Sequence, residues 1–138
     1  MDVEAFFESM PFARLLGIEL TSVGDGHAEG RVELRAELSW HPEEVRAHGG
    51  VVFALADTVG GAALVSEVGK PVPTVDMRVD YLHAATSDLQ AAADVVRIGH
   101  EVGTVDVDVY ATDAAERDER EHVASARGVY KTGSVTHD

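Results

Sequence analysis

The chain has 138 residues, 45% of them hydrophobic, with 25 acids against 11 lysines and arginines, a net charge of -14 and no cysteine. That length is expected to form one domain over residues 1–138 with room for a core, and the missing cysteines exclude disulfides and thiolate metal sites. So acidic a surface repels nucleic acid and anionic membrane.

Residues 2–9 read as a short amphipathic helix with Val3, Phe6 and Phe7 on one side. Pro11 ends or redirects it, Phe12, Leu15 and Leu16 continue a second turn, and Gly17 stops that turn. Met1 to Phe12 carries Asp2, Glu4 and Glu8 and lacks the basic start and apolar run of a signal peptide, so a cytoplasmic location is expected. Residues 18–23 and 28–38 read as two strands around the hairpin signal Gly24-Asp25-Gly26. In the second, Ala28, Gly30, Val32 and Leu34 alternate with Glu29, Arg31, Glu33 and Arg35. Residues 39–47 are a connection. A long helix follows and ends near Gly69. Lys70 to Pro73 is a loop. Strands are predicted over 74–82, 89–98, 104–112 and 123–132. In the first of these Val75, Met77, Val79 and Tyr81 face one way. Gly99 to Gly103 is a turn, and the charged run Asp113 to His122 is a solvated turn. Consecutive strands with short turns argue for an antiparallel sheet and an α+β class.

The centre of the chain is His48 to Ser66, which opens on Gly49-Gly50 and stays apolar on every side, with Asp57 as its only charge. A helix apolar all round is buried. Its apolar part is about 15 residues, short of the roughly 20 a bilayer needs. A buried carboxylate is expensive unless paired, so Asp57 is either a structural cap or partner, or a functional group. The amides of Gly49, Gly50 and Val51 sit at the helix N-terminus, without partners in the helix and at the positive end of its dipole. They suit a carbonyl oxygen that gains charge. Asp57 lies about 12 Å further along the axis at roughly 1.5 Å per residue. Its side chain cannot reach back that far. Either the two ends share no site, or a second, antiparallel copy supplies Asp57 and a homodimer carries two interface sites. One curved sheet leaves one side of such a helix open, and a second copy closes it.

The segment Ala47-His48-Gly49-Gly50-Val51-Val52-Phe53-Ala54-Leu55-Ala56-Asp57-Thr58 resembles the signature of hotdog-fold acyl-CoA thioesterases of the phenylacetate-degradation, PaaI-like type. Pro11 to Ile18, Thr74 to Leu82 and Arg97-Ile98-Gly99-His100 resemble other parts of the same family, and the match covers about residues 5–132. The resemblance implies a hotdog fold, an antiparallel sheet wrapped round one long central helix, in a homodimer or a homotetramer. It implies hydrolysis of acyl-CoA or arylacyl-CoA to the acid and coenzyme A. Gly49 matches the oxyanion-binding glycine. Asp57 of the facing subunit matches the carboxylate, as nucleophile or general base. Thr74 matches a hydroxyl that orients water, and His48 the histidine that begins the motif. Where the family carries an Asn six residues before that His, this chain has Pro42, with His41 the nearest polar substitute.

Each assignment has a plainer alternative. Gly49 and Gly50 could serve helix packing alone, His48 could fix the helix start, and His41 could be a surface histidine. Coenzyme A phosphates need locally basic groups on an acidic protein. Candidates for substrate binding, besides Gly50 and His41, are Arg78, His83, Arg97, Gly99 and His100, with Arg46 and Lys131; for the charged ones, a solvated ion pair with neighbouring acids is the alternative. No cofactor is expected, and the scattered histidines argue against a metal. Two other readings fit less well: a hotdog enoyl-CoA hydratase or dehydratase, which wants a His close to the acid, and a non-catalytic acyl-CoA-binding sensor. The charge also leads us to expect a halophilic, salt-screened surface.

Overall fold

A computed structural model of the chain describes residues 1–112 and 120–133. The elements in order are α1 (Val3–Glu8), α2 (Pro11–Leu16), β1 (Glu19–Gly24), β2 (His27–Val32), a 3-10 turn (Ala36–Leu38), α3 (Gly49–Val68), β3 (Thr74–Tyr81), β4 (Asp88–Ile98), β5 (Val102–Thr112) and β6 (Arg120–Lys131). The six strands form one antiparallel sheet in the order β1-β2-β4-β5-β6-β3, curled round α3. This is the hotdog architecture.

Local chemistry sets most boundaries. The Asp2 carboxylate caps α1 by accepting from the Ala5 N–H at 3.0 Å. Pro11 does not break a helix but starts α2 at its first position, and Gly17 closes it in the left-handed region. The β1–β2 hairpin turns on Asp25 and Gly26, both with positive φ. Gly69 ends α3 in the same left-handed way.

Three expectations change. The alternation after β2 runs on to Leu34, yet the ladder stops at Val32↔Leu89. Beyond it the Leu34 N–H bonds the Asp88 carboxylate, and the Arg35 guanidinium donates to the Leu15 and Leu16 carbonyls, so the chain leaves the sheet. The last strand begins at Arg120, so His122 lies in β6; the rest of the expected solvated turn, residues 113–119, lies outside the described residues. Finally β3 does not pair with β4, its successor. It crosses to the far edge and pairs with β6.

The core lies between α3 and the inner face of the sheet. Small residues line that face where the helix passes: Ala91, Ala93, Ala124 and Ala126 are buried. At Gly30 a Cβ would stand 2.7 Å from the Val59 side chain, so only glycine lets the helix come this close to β2. α3 runs for 20 residues, longer than its apolar run. By length and composition alone it could cross a membrane, but two thirds of its most apolar 18-residue stretch is buried within the fold. One stripe stays open near its start: His48, Gly50 and Phe53 are exposed. The open side expected of a single wrapped sheet is therefore present.

Candidate active site

Asp57 is not sealed in the core like its neighbours. It is half-buried on α3, at the wall of a cleft of about 340 Å³. Most of the rest of the cleft is apolar, with Phe6 and Phe12 from the first two helices, Met10 from the joint between them, and Val72 and Pro73 from the loop after α3. The Thr74 hydroxyl donates to Asp57 Oδ1 at 2.8 Å. Strict alternation would turn Thr74 away from the helix. A bulge resolves the conflict: Thr74 pairs with Tyr130 but Asp76 pairs with Val129, so Val75 is the extra residue and stands 58% exposed. Thr74 and Met77 then both face inward.

Tyr130 is the residue that pattern reading missed. It is the largest fully buried side chain, and its hydroxyl donates to the Asp57 backbone carbonyl at 2.9 Å. Burial pushes the phenol well above its ordinary range, and the Asp57 carboxylate beside it pushes the same way, so the hydroxyl stays a donor at every working pH. The Gly60-Gly61 pair was the available signal, since glycines inside a helix make room for something large.

At the helix start the three expected amides are not equivalent. His48 is the N-cap, and its Nδ1 accepts from the Gly50 N–H at 2.7 Å. The Val51 N–H bonds the His48 carbonyl at 2.9 Å. Only the Gly49 N–H is left without a partner among the described residues. Gly50 serves the cap rather than an open amide: a Cβ there would press on His48 Nδ1 at 2.9 Å. Gly49 lines a second cavity, about 310 Å³, with Trp40, Tyr81, Leu82 and His83. The Tyr81 hydroxyl donates to the Gly49 carbonyl at 2.9 Å, and burial raises this phenol too. Gly49 and Asp57 thus face different cavities of one chain.

The remaining candidates separate. His41 folds its own loop: Nδ1 accepts from the Glu43 and Glu44 amides at 3.0 and 2.9 Å, beside a Ser39 hydroxyl that accepts from the His41 and Arg46 amides. It lines neither cavity. Arg46 pairs with Glu44. Arg78 stands on the outer face of the sheet, paired with Asp80. His83 reaches the Gly49 cavity and lies 3.7 Å from Glu121. The Gly99 N–H is not open to a phosphate, because it donates to the Val102 carbonyl at 2.8 Å. Arg97 lies over Gly99, with no carboxylate partner among the described residues. His100 is exposed in the same turn. That turn is bound to Thr132, next to Lys131, whose N–H bonds the Pro73 carbonyl. Arg97, His100 and Lys131 therefore gather at the Thr74 end of the sheet.

A family model described as the thioesterase superfamily matches residues 46–116. A provisionally named esterase of Halobacterium salinarum is 34% identical over 94% of this chain and 89% of its own length. The medium/long-chain acyl-CoA thioesterase YigI of Escherichia coli is 25% identical over 94% and 90%. The structure of a variant of the phenylacetic acid degradation protein PaaI of Thermus thermophilus superposes with a TM-score of 0.76 at 26% identity, covering 88% of this chain and 98% of that one. The chain therefore belongs to the thioesterase superfamily, as a hydrolytic enzyme with the hotdog fold.

Proposed function

We propose that the protein hydrolyses acyl-CoA or arylacyl-CoA thioesters to the free acid and coenzyme A, in a homodimer whose two sites each combine Gly49 of one copy with Asp57 of the other. One observation carries the reading: the open Gly49 amide at the start of α3 and the Asp57 carboxylate, the one acid inside its apolar run, lie in separate cavities, about 12 Å apart along the helix. A second, antiparallel α3 brings the two ends together. The surface for it is at hand. β3 is an edge strand with Val75 and Tyr81 exposed, Leu82 is exposed just past its end, and Phe53 is exposed on α3 between Gly49 and Asp57. Such apolar exposure suits a partner copy.

The chemistry follows from the donors. The Gly49 N–H, at the positive end of α3, meets the thioester oxygen and stabilises the charge it gains. The Thr74 hydroxyl holds one oxygen of Asp57. The other takes a proton from water as that water adds to the acyl carbon. The tetrahedral adduct then expels the thiolate as the C–S bond breaks, and the thiolate recovers the proton. Direct attack by the carboxylate, giving an anhydride that water opens, uses the same geometry. The apolar cleft beside Asp57 takes the acyl group. Arg97 and Lys131 supply positive charge for the coenzyme A phosphates, and the exposed His100 ring a hydrogen-bond donor.

The test is release of free thiol from a panel of acyl-CoAs. Turnover of Asp57→Asn should fall roughly 10²–10⁴-fold, the range of a lost general base, with KM little changed. Near-normal turnover in that variant would return Asp57 to a structural role.

A further inference from the structure

Asp57 is held at two points by one rung of the sheet. Thr74 and Tyr130 are Cα partners in the β3–β6 ladder. Thr74 holds the carboxylate, and Tyr130 holds the backbone carbonyl of the same residue. A carbonyl inside a helix already accepts the N–H four residues on, so the phenol is a second donor to a satisfied group. Hydrogen-bond satisfaction of Asp57 does not require it. The space for that phenol is made at some cost. At Gly60 a Cβ would lie 2.6 Å from the Tyr130 hydroxyl, and at Gly128 one would lie 2.7 Å from the ring. Gly60 sits inside a 20-residue helix, where alanine is the better helix former. At Gly61 a Cβ would make ordinary contact at 3.6 Å, so the second glycine of the pair is not held to glycine by the phenol.

We propose that Tyr130 is a positioning residue for Asp57: its hydroxyl fixes the turn of α3 that aims the carboxylate, and Gly60 and Gly128 are glycines to let it reach that turn. This rests on the proposed function, in which Asp57 is the reacting carboxylate. Small displacements at such a group are costly, since a shift of about 1 Å loses on the order of 10²-fold in rate.

The experiment is a double-mutant cycle in the thiol-release assay, with Tyr130→Phe, Gly60→Ala and their combination, each shown folded by circular dichroism. Tyr130→Phe keeps the ring and removes the hydroxyl. Its kcat should fall about tenfold or more with KM within about twofold. Gly60→Ala pushes the hydroxyl off Asp57 and should lose kcat to a similar degree. In the combined variant the clashing oxygen is gone. The nearest atom to the new methyl is then Val107 Cγ2 at 3.2 Å, so the two losses should not multiply. Two independent packing defects would multiply, and a full product of the two losses would overturn the proposal. So would a normal kcat in folded Tyr130→Phe. If Tyr130→Phe does not fold, Gly60→Ala decides alone, and a normal kcat there overturns it. Asp57→Asn in the same assay separates the two levels. If it is inactive while Tyr130→Phe is fully active, only the positioning role fails; if it is active, the parent reading fails with it.

Discussion

At the scale of single residues, the start of α3 separates two tasks that its two glycines could have shared. Gly49 keeps an open amide, while Gly50 gives its amide to His48. The His48 ring must be neutral at Nδ1 to accept that bond. His48→Ala should therefore cost about 1 kcal/mol, the usual worth of a cap, and His48→Asn should recover most of it. Gly50→Ala should lose a similar amount, because its methyl would displace the ring from 2.9 Å. Urea unfolding of the three variants checks this. A Gly50→Ala protein as stable as wild type would mean that the cap is not what Gly50 protects. The special status of His48, Gly49 and Asp57 was legible in the sequence, because a run of apolar helix makes its few exceptions stand out. The split between the two amides was not, because it depends on a ring nitrogen folding back by two residues.

At the scale of elements, the outer face of the sheet carries its own charge pattern. His27 pairs with Asp94 across the β2–β4 ladder, and Glu29 stands two residues on, on the same face. The ring nitrogens lie 2.8 Å from each carboxylate. The Glu29 hydrogen bond first, and the Asp94 bond second, raise the His27 pKa above 6.5. A raised folded pKa means that the bridge stabilises fully below the unfolded value of 6.5 and that its contribution is lost as pH climbs through the folded one. The stability margin of wild type over His27→Gln should accordingly be larger at pH 6 than at pH 9, in urea unfolding at low salt. An equal margin at both would remove the imidazolium from the account. Element existence was readable here from alternation. The position of β3 was not: chain order puts β3 beside β4, whereas the sheet places it at the opposite edge, and the bulge that turns Thr74 inward breaks the very alternation used to read the strand.

At the scale of the whole molecule, the proposed dimer makes a quantitative prediction. Gly49→Ala should fold, since its Cβ would meet the Tyr81 ring at an ordinary 3.4 Å, but the methyl crowds the thioester oxygen. Asp57→Asn lacks the carboxylate. Each homodimer should be nearly inactive. In a mixed dimer one site collects both defects and the other neither. Random pairing of an equal mixture gives about half heterodimers with one intact site each, so activity should return to about a quarter of wild type if the sites are independent. Heterodimers seen by native mass spectrometry without recovered activity would mean that both residues serve a site within one chain or that the two sites are coupled. The net charge of -14 bears on the same assembly. We propose a salt-adapted surface, screened by cations; stability that is equal in low and molar potassium chloride would remove it.

What the sequence by itself determined is the helix and the few residues that interrupt it. An apolar segment that opens on His48-Gly49-Gly50 and is interrupted by Asp57 forms a helix that must be covered, and its length alone keeps Gly49 and Asp57 apart. Tertiary structure decided what surrounds those ends. Tyr130 lies 73 residues from Asp57 and Thr74 lies 17 away, and only the β3–β6 pairing, with its bulge, sets both against one residue, Thr74 on its carboxylate and Tyr130 on its backbone carbonyl. Such contacts have no local signal, because the period of a strand says which face a side chain takes but not which residue of the helix it will meet.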